Sequence, residues 1–212
     1  MSDGLPAATT AHPGQPHAAQ PITRRQTLWV MGLLGGVAIA LACGGEAARL
    51  ALRYERVAVL HGEYWRLLTG HMVHGSTAHL LLNMVGLALI AGLFPSHYSW
   101  RQWLWILLAS LASIAVGFVF YEPQLEWYVG LSGLLHGLLA AGALAWWRLE
   151  SKPLAAGLSL VLVAKLAWEQ FHGALPFSGD MPVIVDAHLY GALGGFLAGL
   201  GIWLRMSLKR QV

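Results

Sequence analysis

The stretch Trp127-Tyr128-Val129-Gly130-Leu131-Ser132-Gly133-Leu134-Leu135-His136-Gly137, running on through eight Leu, Ala and Gly residues to Trp146-Trp147, decides how the chain reads. It is apolar enough to lie in a bilayer, yet it opens on a hydroxyl flanked by glycines. Small residues permit close helix approach in membranes, and an isolated serine there needs no other reason. Glycines around it change the reading, because they let the chain turn sharply and leave the hydroxyl open to a cavity. A helix from Ser132 to Trp147 is about 24 Å long at 1.5 Å per residue, short for a hydrocarbon core of about 30 Å. Its start then sits below the surface, with unpaired N–H groups that favour developing negative charge.

Of the 212 residues 57% are hydrophobic and only 11% charged, where soluble domains carry about 25% charged residues. An aqueous monomer is excluded, and the chain reads as an all-α membrane protein. Six apolar blocks of spanning length occur at 27–45, 77–94, 100–120, 129–147, 153–171 and 184–204. The first is too long for a signal-peptide core and has no A-x-A cleavage site before Glu46. Residues 1–25 lack a hydrophobic period and read as a disordered tail. Residues 26–205 form the membrane domain, and 206–212 a short basic tail. Between the first two blocks, residues 46–75 mix Arg and Glu with Leu, Tyr and Trp, as an amphipathic loop lying in the interface does. The net charge of +3 does not indicate nucleic acid, because the basic residues gather at block ends. Cys43 is the only cysteine, so an internal disulfide is impossible and a structural zinc site has no basis.

With the amino terminus inside, Arg24, Arg25, Arg101, Arg148, Lys152, Arg205, Lys209 and Arg210 fall on the inner side. Glu122, Glu126, Glu169 and Asp180 fall in short outer loops that hold no Lys or Arg, a positive-inside bias. The arginines of 46–75 are the exception. In this topology the second, fourth and sixth spans run from outside to inside. His79, Ser132 and His188 then lie in their first turns, at similar depth.

An ionisable side chain inside a span is a functional hypothesis by default. His188 is followed at three and seven residues by Gly191 and Gly195, which lie on its helical face. Gly195 and Gly199 form one small-residue ridge, Gly133 and Gly137 another, and such ridges let two helices pack closely enough for Ser132 and His188 to meet. A serine and a histidine act as a pair: imidazole takes the hydroxyl proton, then protonates the leaving amine. Asp186 is two residues from His188 and faces away on a regular helix, so a dyad is expected. His79 and Asn83 share one face at i, i+4 and can donate to an oxyanion. His136, one turn below Ser132, either packs under the pair or orients a hydrogen bond, and is not the base. His71, His74 and His79 invite a metal reading, but no H-E-x-x-H and no Cys or carboxylate at ligand spacing accompany them. Neither a metal nor a cofactor is therefore assigned. Lys165 has no evident partner, and oligomeric state is not readable.

This pattern resembles the rhomboid family of intramembrane serine proteases, over about Trp65 to Gly199. Trp65-Arg66 is similar to the family's W-R motif of the first outer loop, H-G-S-T-A-H-L-L-L-N to its second-helix motif, Gly130-Leu131-Ser132-Gly133 to G-x-S-G, and A-H-L-Y-G to its sixth-helix motif. The resemblance implies a six-helix bundle, Ser132 as nucleophile, His188 as base, oxyanion roles for His79 and Asn83, and Gly191 as a close-packing position. H-G-E-Y-W-R-L-L-T-G-H-M-V-H, G-L-S-G-L-L-H-G and V-D-A-H-L-Y-G look like the rhombosortases, short bacterial rhomboids. His136 stands where many other rhomboids have tyrosine, which leaves their aromatic stacking contact unsupported here. The implied substrates are exported bacterial proteins with a Gly-Gly-type carboxy-terminal membrane tail, cut at the periplasmic face of the inner membrane. The alternatives are a general rhomboid protease with other single-pass substrates, and a non-catalytic rhomboid-like protein that binds membrane helices. A transporter is disfavoured by the lack of internal repeats.

Overall fold

The structure, a computed structural model, describes residues 24–174 and 183–209. The expected tail is outside the described residues at 1–23, as are Asp180 and, at the other end, 210–212. The elements in order are helices α1 (Arg24–Ala42) and α2 (Gly45–Leu52), strand β1 (Tyr54–Glu55), and short helices α3 (Arg56–Leu60) and α4 (Arg66–Thr69). Then follow α5 (Thr77–Leu93), α6 (Trp100–Val116) with a π-helical turn at Gly117–Tyr121, strand β2 (Trp127–Tyr128), α7 (Ser132–Leu149), α8 (Lys152–His172) and α9 (Asp186–Leu208).

Local signals set these boundaries. Ser76 caps α5 by accepting from the His79 N–H at 3.1 Å. Ser99 and Gln102 form a capping box at the start of α6. Pro153 sits in the first turn of α8, where its missing N–H costs nothing.

Helix α7 is the centre: residues Gly133 to Leu138 and Ala140 to Ala145 are all buried. α9, α6, α8 and α5 pack around it, and α1 lies outside against α5 and α6. The outward faces carry large apolar side chains in the open, such as Leu33, Leu160, Val161 and Phe171 (69, 70, 67 and 83% exposed). In water such a belt would be a severe aggregation liability; in lipid it is the solvated surface. α1, α6 with its π turn, α8 and α9 are long and apolar enough to cross a membrane. The protein is a multi-pass membrane protein. α5 is shorter, at 17 residues, and α7 is walled in by its neighbours.

The structure departs from the sequence expectation at the first helix, the last helix and Glu169. The first helix begins earlier and ends at Ala42, because Gly44 and Gly45, the latter at φ +59°, break it before α2. The last helix continues to Leu208, into the expected basic tail. Glu169, expected in an outer loop, is a buried residue of α8.

Residues 46–75 are built as an irregular lid of short elements. β1 pairs antiparallel with β2, Tyr54 opposite Tyr128. The Arg56 guanidinium donates to the carbonyls of Phe118 (2.8 Å), Val119 (3.2 Å) and Glu122 (3.3 Å), satisfying the end of α6 where the ladder runs out. Arg66 binds Glu63 at 2.6 Å and the Arg53 carbonyl at 2.9 Å, while Trp65 beside it is exposed.

The α7–α9 seam is made of glycines. A Cβ on Gly191 would overlap the carbonyl oxygen of Gly133, and one on Gly195 that of Gly137. Backbone thus meets backbone with no side chain between. Gly191→Val is expected to lower unfolding stability in detergent by more than about 3 kcal/mol, the upper range of overpacking costs. Gly36→Val, where nothing lies within 4 Å of the new Cβ, is the control and should unfold near the wild type. Equal unfolding temperatures for wild type and Gly191→Val would contradict this packing.

Candidate functional site

Ser132 is the first residue of α7 and follows a turn held on both sides. Gly130 has φ +118°, a region that favours glycine. Its N–H donates to the Gly70 carbonyl at 3.0 Å, and its own carbonyl accepts from the Tyr128 hydroxyl at 2.6 Å. The His79 ring lies against the same residue, so a Cβ on Gly130 would sit 2.7 Å from His79 Nε2.

His188, in the first turn of α9, is buried and meets Ser132 across the glycine seam. Ser132 Oγ and His188 Nε2 are 2.9 Å apart. His188 Nδ1 lies 2.9 Å from Glu169 Oε2, and the other carboxylate oxygen lies 2.7 Å from Lys165 Nζ. A carboxylate only accepts, so Nδ1 carries the proton and donates to Glu169. Nε2 is then a bare acceptor for the Ser132 hydroxyl. The contact between Ser132 and His188 is therefore continued to a carboxylate, and that carboxylate is Glu169 of α8 rather than Asp186.

His136 stacks on His188 with ring centroids 4.1 Å apart and planes 18° from parallel. Its Nδ1–H donates to the Ser132 carbonyl at 2.7 Å. Of the two placements open for His136 the structure combines both, and an imidazole makes the stacking contact that the missing tyrosine had left unsupported.

A cavity of about 280 Å³ opens beside Ser132, walled by His79, Trp127, Tyr128, Val129 and Ile184 among others. His79 thus faces the same space as Ser132, and its Nδ1 has no hydrogen-bond partner among the described residues. Asn83 is buried one turn further along α5, and its Nδ2–H donates to the His79 backbone carbonyl at 3.0 Å. It is not among the residues lining the cavity. Gly133, Gly191 and Gly195 lie in the seam, and Trp65 and Arg66 lie in the lid, apart from the cavity.

The rings of His74 and His79 meet edge to face at 5.1 Å, and His71 instead packs on Tyr128. The described residues whose ligand atoms do cluster, within 4.8 Å, are His136, Glu169 and His188. Hydrogen bonds account for that cluster: both Nδ1–H groups are already donated, one to Glu169 and one to the Ser132 carbonyl.

The profile of the Rhomboid domain matches residues 61–205. The chain belongs to the rhomboid family. It is 30% identical to RHOMBOID-like protein 5 of Arabidopsis thaliana, over 71% of this chain and 48% of that protein. It is 31% identical to RHOMBOID-like protein 7 of the same plant, over 65% of this chain and 42% of that protein. Against the putative rhomboid protease YdcA of Bacillus subtilis (strain 168) it is 27% identical, over 66% of this rhomboid and 67% of the relative. The chain spans less than half the length of the two plant relatives named.

Under the turn, His71 is 2% exposed and packs edge to face on Tyr128. Burial holds its imidazole neutral, pushing its pKa from 6.5 down to about 4. The unfolded chain therefore binds a proton that the folded one refuses, and stability falls as pH drops from about 6.5 to 4. Unfolding followed across this window should lose up to about 3 kcal/mol from this residue. The loss should be absent from the pH slope of His71→Phe; parallel slopes would remove His71 from the account.

Proposed function

We propose that this rhomboid is an intramembrane serine endopeptidase with Ser132 as nucleophile and His188 as base. The observation that carries the reading is the 2.9 Å contact between Ser132 Oγ and His188 Nε2 at the wall of a cavity. As Oγ bonds to the scissile carbonyl carbon, its proton passes to Nε2 and an oxyanion forms. The imidazolium then gives that proton to the leaving nitrogen, the C–N bond breaks, and an acyl-enzyme remains. Water attacks in the second half, losing a proton to Nε2 that is returned to Oγ as the ester opens.

For the oxyanion, His79 is the side chain on the cavity wall, and the first N–H groups of α7 contribute their dipole. Asn83 supports it from behind through its bond to the His79 carbonyl. The substrate is a membrane helix that unwinds at small residues to present its carbonyl. Likeness to the rhombosortase motifs favours a Gly-Gly-type carboxy-terminal tail on exported bacterial proteins, released at the periplasmic face of the inner membrane. The charge bias of the loops supports that orientation with six spans and a cytoplasmic amino terminus.

The test compares purified wild type, Ser132→Ala and His188→Ala on a Gly-Gly-tailed substrate in liposomes, with and without chelator. Cleavage should vanish in both variants and be indifferent to chelator; cleavage surviving in Ser132→Ala overturns the reading. His79→Ala should reduce turnover by roughly 10- to 1,000-fold, and wild-type turnover in that variant would free His79 of any oxyanion role.

A further inference from the structure

We infer that Glu169 is a positioning residue for His188, with Lys165 as its counter-ion, so that the proton relay runs through Ser132, His188 and an ion-paired carboxylate. This rests on the serine-protease reading above. Glu169 is 2% exposed, and a charge so far from water persists only when paired and hydrogen-bonded. It has two partners, one on each oxygen: Lys165 at Oε1 and His188 at Oε2. Lys165 lies one turn away on the same helix, 29% exposed at its side chain, so it reaches the carboxylate while keeping contact with the surroundings. A surface i, i+4 pair would need no third member; here the pair is turned inward, onto the histidine that holds Ser132.

The consequence is chemical. An isolated imidazole can carry its proton on either nitrogen, and with Nε2 protonated it cannot accept from Ser132. Glu169 selects the Nδ1–H form, fixes the ring plane, and faces the imidazolium that forms when Nε2 takes the proton. His136, stacked on the other side, holds the ring against rotation.

The groups that face His188 from neighbouring helices are His136 of α7, Glu169 and Lys165 of α8, and His79 of α5. The experiment measures kcat, KM and the pH profile of kcat/KM for wild type, Glu169→Gln, Glu169→Asp and Lys165→Met, with unfolding temperature as the fold control. Glu169→Gln should lower kcat by as much as about 10⁴-fold, the loss that follows removal of the orienting carboxylate in a Ser-His-Asp triad, with KM little changed. The acidic limb of kcat/KM should move to lower pH, because the imidazolium loses its counter-ion. Lys165→Met should move that limb the other way, and Glu169→Asp should recover part of kcat. If Glu169→Gln does not fold, Lys165→Met/Glu169→Gln, which leaves no unpaired ammonium, is read in its place. A folded variant with wild-type kcat and an unmoved limb overturns this inference while Ser132→Ala stays inactive. Activity in Ser132→Ala overturns the underlying reading instead.

Discussion

Direct backbone contact between α7 and α9 is the constraint on which the rest depends. Gly191 meets the Gly133 carbonyl and Gly195 that of Gly137, so the two helices approach as closely as main chains allow. Apolar side chains give little drive for association in lipid, and packing of this kind replaces it. Ser132 and His188 stand at the starts of these two helices, one residue before the first seam glycine and three residues before the second. The register of the seam therefore sets the distance between hydroxyl and imidazole. Any side chain in the seam would separate them.

What the seam fixes from below, the 46–75 segment fixes from above. Its strand pairs with residues 127–128, Gly70 accepts from Gly130, and Arg56 closes the carbonyls at the end of α6. These bonds hold an irregular segment where helical bonding stops, and leave the hydroxyl-bearing turn open to a cavity. The buried carboxylate and imidazole are paired in a chain that runs from Lys165 through Glu169 and His188 to Ser132. Irregular backbone and buried charge are tolerated in a membrane where they line a polar space.

The long apolar helices and the meeting of Ser132 with His188 were legible in the sequence, because both leave local patterns: apolar block length, and glycine spacing beside a polar residue. Glu169 and Lys165 were not. Their i, i+4 spacing was visible, but which side of α8 faces α9 is a tertiary fact, and the carboxylate near a block end read as a loop charge. For His79 and Asn83 the shared face was readable from spacing. That Asn83 spends an N–H on the backbone carbonyl of His79 was not, since the sequence carries no direction for a terminal amide. The pairing of Tyr54 with Tyr128 involves two residues per strand, too few for an alternating pattern to register.

In the proposed mechanism the fold activates one hydroxyl, Ser132, through His188. Mass spectrometry of the protein after a fluorophosphonate probe tests it without any assumption about substrate. The account predicts a single covalent adduct on the peptide containing Ser132, and its loss in folded His188→Ala. Adduct formation at another residue, or equal labelling of Ser132 without His188, would contradict it.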